Sequence, residues 1–418
     1  MFLKLKNKLR DILKWSEKWT GTDMIYLARG SFWLNSNFLI SSVFALLLSI
    51  TFARLLPKSI YGTYQFILSI ASIITALSLT GMNNAVTQAV AKGYEGSFIK
   101  SIKTQLKWGL IPSIVAITVS IYYFLNNNSE LSIAIFIVAI FQPILNTYNT
   151  YNAFLFGKKD FRHVFYFGQI FNFIYYSAMI LSVFIFKNPI SLILINLSAG
   201  TIINIFLHYY TIHLFKPNSN ENEEILNFGK HMSASNVMGI ITSQIDNIFI
   251  YHYLGAIQLA IYSFASNIPE RLTSIIRNIS SIALPKFSER TSTELKEKIV
   301  TKSFKLALFT LAISIIYIII AQPLFRIFFP QYTIAVLYSQ GYALVVVLAS
   351  LSRLPLTTLM ATNSKKEMYI YNTVFSGASL CLMLLAIIFW GIWGLIIARG
   401  ISNIFSFLLL IFFVKRKE

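Results

Sequence analysis

Six Asp, Glu and Arg residues stand away from the ends of apolar runs, where such residues are costly. Asp246 lies in the run 231–254, and Glu270, Arg271 and Arg277 lie in the run 259–282. Arg353 and Arg399 stand in two later runs. Each run is long enough to cross a bilayer. A charge at its centre costs at least about 2.5–3.5 kcal/mol unless it faces a cavity or a partner. Helical spacing groups them by face. Ser235, Gly239, Thr242, Ser243 and Asp246 share one stripe. Asn267, Glu270, Arg271, Ser274, Arg277, Asn278 and Ser281 share an arc of roughly 120°.

With Arg29 at the mouth of the first run, the guanidinium groups outnumber the two carboxylates, Asp246 and Glu270. A cavity with excess Arg favours a polyanion, and the planar fork of Arg suits bidentate phosphate binding. The candidate substrate-binding residues are therefore Arg29, Arg271, Arg277, Arg353, Arg399, Asn267 and Ser274. Asp246 and Glu270 are candidates for coupling to a proton or sodium gradient, or for an ion pair with Arg271 or Arg277. The bland alternatives stand beside these. Small polar residues also suit plain helix packing, and Arg399, nearer one end of its run, suits snorkelling.

Other chemistry is missing from the motifs. There is no phosphate-binding glycine loop with its Lys, no His pair at zinc spacing and no Cys pair, so neither a cofactor nor a metal site is expected. The carboxylates among Asn218 to Glu224 match no calcium-ligand spacing. His208, His213, His231 and His252 fall near the ends of runs and read as interfacial. The lone Cys381 reads as a core thiol. A membrane polymerase or acyltransferase would need a sizeable external loop or paired acid and base groups, and neither is found.

These residues need elements to position them. The chain has 418 residues, 56% hydrophobic and 12% charged, against about 25% charged in soluble domains. Repeated apolar runs of about 20 residues define an all-α polytopic membrane protein. About twelve spans are expected. They cover 26–52, 61–82, 106–125, 131–155, 164–186 and 190–213, then 231–254, 259–282, 303–322, 334–361, 369–389 and 391–413. The stretch 83–105 is too polar to span and reads as an inside loop. Residues 1–23 alternate Lys and Arg with Phe2, Leu5, Leu9, Ile12 and Trp19, the pattern of a helix lying on an anionic inner leaflet. They lack the apolar core of a signal peptide.

Lys and Arg crowd the segments on one side and leave only Arg54, Lys58, Lys187 and Arg326 on the other, which places both termini in the cytoplasm. The net charge of +19 is mostly this asymmetry plus contact with membrane lipid, rather than nucleic-acid binding. Residues 214–230 read as a solvated cytoplasmic linker and 415–418 as a basic tail.

An internal repeat divides the rest. Leu56-Pro57-Lys58-Ser59-Ile60-Tyr61-Gly62-Thr63-Tyr64 parallels Leu254-Gly255-Ala256-Ile257-Gln258-Leu259-Ala260-Ile261-Tyr262. Gly157-Lys158-Lys159-Asp160-Phe161 parallels Ser364-Lys365-Lys366-Glu367-Met368. Two six-helix lobes follow, 24–213 and 231–414, with substrate expected between them near the midplane and the lobes rocking against each other.

The stretch Gln244-Ile245-Asp246-Asn247-Ile248-Phe249-Ile250-Tyr251, with Tyr253-Leu254-Gly255-Ala256 and Ala260-Ile261-Tyr262-Ser263-Phe264-Ala265, resembles the polysaccharide flippases. These are the Wzx-type O-antigen and exopolysaccharide transporters of the MOP superfamily. Ala53-Arg54-Leu55-Leu56-Pro57 and Tyr61-Gly62-Thr63-Tyr64 resemble the family's first-half signature, although Ala260 stands where Gly is usual. The resemblance implies the two-lobed MOP flippase fold, alternating access and a place in the bacterial inner membrane. The cargo it implies is an undecaprenyl-pyrophosphate-linked oligosaccharide, with other glycan assembly proteins as partners. The alternative is a cation-coupled drug or small-molecule exporter of the same superfamily, whose usually cationic cargo the Arg excess disfavours.

Overall fold

The computed structural model describes residues 24–288, 292–361 and 365–416. The basic segment 1–23 and the last two residues of the tail lie outside the described residues. All regular structure in the described residues is helical.

The first half opens with α1 (Met24–Leu55) and α2 (Lys58–Ala76), joined at Leu56-Pro57. Pro57 is extended and has no N–H to give, so α1 cannot run on. Next come α3 (Met82–Ala91), α4 (Gly96–Trp108) and α5 (Leu110–Leu125). The expected loop over 83–105 is therefore two short helices. Their apolar residues make the difference: Met82, Ala85, Val86, Val90, Phe98 and Ile102 bury one face in a local core with Phe154 and Leu207.

The half ends with α6 (Ser129–Tyr148), α7 (Tyr151–Gly157), α8 (Phe161–Ile185) and α9 (Pro189–Phe215). Short side chains punctuate it. Asn128, Asp160 and Asn188 accept hydrogen bonds from the backbone N–H groups of Leu131, His163 and Ser191, starting α6, α8 and α9. Each such cap is worth about 1 kcal/mol.

The second half repeats the order. It runs through α10 (Glu223–Leu254), α11 (Ala256–Ser288), α12 (Ser292–Phe328), α13 (Ala335–Leu351), α14 (Arg353–Ala361) and α15 (Lys365–Arg416). The expected spans 131–155 and 334–361 are both broken, at Asn149-Thr150 and at Ser352, so each span ends in a short extra helix, α7 or α14. In α15 the backbone leaves the helix at Gly391 (φ 56°, ψ −136°), a conformation that a side chain would strain. Its limbs, 365–390 and 392–416, thereby occupy the places of α8 and α9. Between α12, which runs to Phe328, and α13 a short 3-10 helix covers Pro330–Tyr332.

Nine stretches of the described residues are long and apolar enough to cross a membrane, and one of 50 residues holds both limbs of α15. The expected span 231–254 is not among them. It lies in α10, 32 residues long, whose polar residues turn inward rather than toward lipid. Cys381 corrects another expectation: it is exposed on α15. A thiol is apolar enough for an outward face as well as for a core.

The halves meet through α2, which packs against α10 and α11. The repeat motifs face each other there. A Cβ on Gly62 would lie 1.8 Å from the carbonyl oxygen of Ala256, so only glycine permits this approach. Tyr61, Phe264 and Tyr332 stack in a cluster beside it, with ring centroids 4.7 and 4.1 Å apart. Arg54 donates to the carbonyl of Ile327 at 2.7 Å, and Gln331 donates back to the carbonyl of Arg54 at 3.1 Å. The turns at this end are thus sealed together. At the other end the chain from α9 to α10 is 216–222, shorter than expected. It is held by side chains rather than merely solvated: Lys100 bridges Glu221 and Glu223 at 2.7 and 2.5 Å, and Asn218 exchanges hydrogen bonds with Glu95.

Candidate functional site

The polar stripe on α10 opens onto a cavity of about 660 Å³. Ser235, Asn236, Gly239, Thr242 and Ser243 form one wall. Ser352 and Arg353 close it at the α13–α14 break. The two limbs of α15 supply Asn372, Ser376 and Ser379 on one side and Arg399, Ser402, Asn403 and Ser406 on the other. Both α15 sets recur every three or four residues, which aligns them on one face. At 1.5 Å per residue, the wall from Ser243 to Ser235 runs about 12 Å along α10 toward the linker end. No Asp or Glu lines this cavity among the described residues.

A second chamber of about 230 Å³ lies between the halves, lined by Tyr61 and Gln65 of α2, by Ser243, Gln244, Asp246 and Asn247 of α10, and by Tyr262, Ser263, Ser266, Asn267 and Glu270 of α11. Asn247 donates to Ser69 Oγ at 2.9 Å, tying α10 to α2.

Between the two spaces lies a network in which Asp246, Tyr262 and Tyr342 are buried, Arg399 is partly buried and Glu270 is exposed. Arg399 Nη2 meets Asp246 Oδ2 at 2.5 Å. Tyr262 donates to the same oxygen at 2.5 Å. Arg399 Nη1 donates to Tyr342 Oη at 2.8 Å, and Tyr342 donates to Glu270 Oε1 at 3.0 Å. Asp246 is only 2% exposed. Two buried polar atoms of the network have no hydrogen-bond partner: Asp246 Oδ1 and Arg399 Nε. A desolvated carboxylate and guanidinium are tolerable here because each neutralises the other.

The expected residues therefore divide. Among the described side chains Asp246 pairs with Arg399 rather than with Arg271, and Arg399 turns inward rather than snorkelling. Arg353 and Arg399 share the larger cavity, whereas Asn267 and Glu270 line the smaller one. Arg271 reaches Asn267 with Nε at 3.4 Å and comes close enough to Tyr176 of α8 for a charge interaction, so it faces the first half. The side chains of Arg29, Ser274 and Arg277 lie outside the described residues. Tyr342 and the Ser/Asn set of α15 were not singled out from the sequence. The spacing of Arg399, Ser402, Asn403 and Ser406 is the signal that marks them. His208 is also not interfacial: it is buried among the rings of Phe98, Tyr148 and Tyr209.

Solved structures share this architecture. An inward-facing multidrug-resistance MATE family transporter of the MOP superfamily is 13% identical, with a TM-score of 0.67 over 90% of this chain and 94% of that one. Its outward-facing counterpart gives 0.64 at 13% identity over 94% and 97%. The lipid II flippase MurJ in an inward closed conformation gives 0.67 at 14% identity over 91% and 87%. The fold is thus that of the MOP transporters, an all-helical polytopic membrane fold. Residues 27–291, more than half of the chain, match the family of polysaccharide biosynthesis proteins, and the chain belongs to that family. No curated protein sequence matches it.

Proposed function

We propose that the protein is a flippase for an oligosaccharide linked through diphosphate to a long polyprenyl carrier such as undecaprenol, the repeat unit of an O-antigen or exopolysaccharide. One observation carries the reading: the 660 Å³ cavity is lined by hydroxyls, amides and the guanidinium groups of Arg353 and Arg399, and no described carboxylate lines it. Hydroxyls and amides suit sugar, and guanidinium suits phosphate. A cationic drug would meet the wrong sign of charge there.

In this reading the lobes are 24–213 and 231–414, and the termini and linker lie in the cytoplasm of a bacterium. The cavity then opens toward the inner leaflet while the turns around Gly62, Phe264 and Tyr332 close the outer side. Arg353 and Arg399 take the diphosphate, Arg271, Arg277 and Arg29 meet it where the lobes face each other, and the lipid tail stays in the bilayer. Asn267 and Ser274 contribute polar contacts. Rocking of the lobes delivers the head group outward.

The test is complementation of a strain deleted for its own flippase, with surface glycan and the leaflet of the accumulated lipid-linked repeats both measured. Restored glycan with a depleted inward-facing pool supports the proposal. Failure across several glycan types, with the protein inserted in the membrane, would sink it.

A further inference from the structure

Arg399 stands at a partition. One edge of its guanidinium holds Asp246 at 2.5 Å and the residue also lines the larger cavity, while its Nε is buried without a hydrogen-bond partner. Behind the partition, Asp246 Oδ2 is already shared by Arg399 and Tyr262, and Oδ1 is buried without a partner at the edge of the small polar chamber. An anionic ligand in the large cavity and Asp246 therefore claim the same cation.

We propose that the diphosphate of the ligand displaces Asp246 from Arg399 and that Asp246 takes up one proton, at Oδ1, as it is released. The inference rests on the flippase reading and adds a mechanism to it. The balance is simple. The guanidinium keeps its charge and exchanges one anionic partner for another. The carboxylate becomes a neutral carboxyl, with the proton arriving from solvent. Without that proton, a buried carboxylate would be left with no cation beside it, which costs free energy.

Among the described residues, the other titratable groups facing Asp246 do not replace the lost cation. Tyr61 of α2 and Glu270 of α11 line the same chamber, Tyr262 of α11 donates to Oδ2, and Tyr342 of α13 lies on the far side of Arg399. Glu270 supplies no positive charge, so none of these groups takes the place of Arg399.

The probe is a polyprenyl diphosphate capped by one N-acetylated sugar. Its diphosphate is a diester with no group titrating near neutral pH, so any proton taken up belongs to the protein. Binding to the full chain in lipid nanodiscs is measured by calorimetry in two buffers of different ionisation enthalpy, from pH 6 to 8. The expected result is uptake of about one proton per ligand where Asp246 starts ionised, with Kd rising roughly tenfold per pH unit there. Asp246→Asn is expected to bind with no proton uptake and a flat pH profile. Replacing sodium by choline is expected to change neither.

Binding by the wild type without proton uptake, or uptake that persists in Asp246→Asn, overturns the exchange and leaves the flippase reading standing. A requirement for sodium in place of the proton overturns it too. A folded wild type that does not bind the capped diphosphate at all overturns the flippase reading, and the exchange with it.

Discussion

Arg399→Ala leaves the Asp246 carboxylate buried without its cation, and removing one partner of a buried pair costs about 3–5 kcal/mol. The variant is expected to melt markedly below the wild type in detergent, and Asp246→Asn in the same chain should recover much of the loss. Arg353→Ala changes a partly buried residue on the wall of the same cavity. It should bind the capped diphosphate roughly 10- to 100-fold more weakly, the worth of a hydrogen bond to a charged group. Equal binding by Arg353→Ala would remove this residue from the phosphate site. The sequence made Asp246 conspicuous because ionisable groups are rare in apolar runs. It did not reveal Arg399 as the partner, since the two are 153 residues apart and helical periodicity assigns a face but not the neighbour across from it. Tyr342 was invisible for a different reason: tyrosine is ordinary in a membrane helix, and only its position between Arg399 and Glu270 makes it part of the network.

Individual helices depend on a few glycines. At Gly62 the obstacle to a side chain is the backbone carbonyl of Ala256, which cannot rotate out of the way as a side chain could. Gly62→Ala is expected to force α2 away from α11 and to destabilise by about 1–3 kcal/mol. Paired spin labels across the α1–α2 turn and the 3-10 helix should report a longer distance, and an unchanged distance would contradict the argument. Gly391→Ala should cost about 1–3 kcal/mol through backbone strain alone, read as a lower melting temperature. Most spans could be placed from hydropathy, because length and apolarity are local properties. The helices α3 and α4 and the breaks after α6 and α13 could not, because they are decided by tertiary burial. Phe98, for example, is fully buried against Phe154 and His208, contacts that local polarity does not disclose.

Across the whole molecule, the connection between the halves is fastened to the first half at Lys100, Glu95 and Asn218. Lys100 holds the Glu223 carboxyl below its usual range by hydrogen bonding and charge. A lowered carboxylate pKa contributes above the unfolded value and is lost as pH falls through the folded one. Acidification is therefore expected to free the connection before it unfolds the membrane core, seen as faster proteolytic nicking at 216–222. Lys100→Ala should give the same nicking at neutral pH.

α10 has a consequence for how the protein is made. It is not apolar enough to enter a bilayer on hydropathy alone, yet it lies against α2, α3 and α15. Its insertion must borrow surroundings from helices synthesised before it, so translocation of this segment is conditional on the first half being in place. A reporter fused after Leu254 should cross the membrane when residues 24–222 precede it, and remain behind when α10 is presented alone after a soluble leader. The polar residues that α10 turns toward the cavity are the ones that make it a poor membrane anchor, and the order of synthesis resolves the conflict.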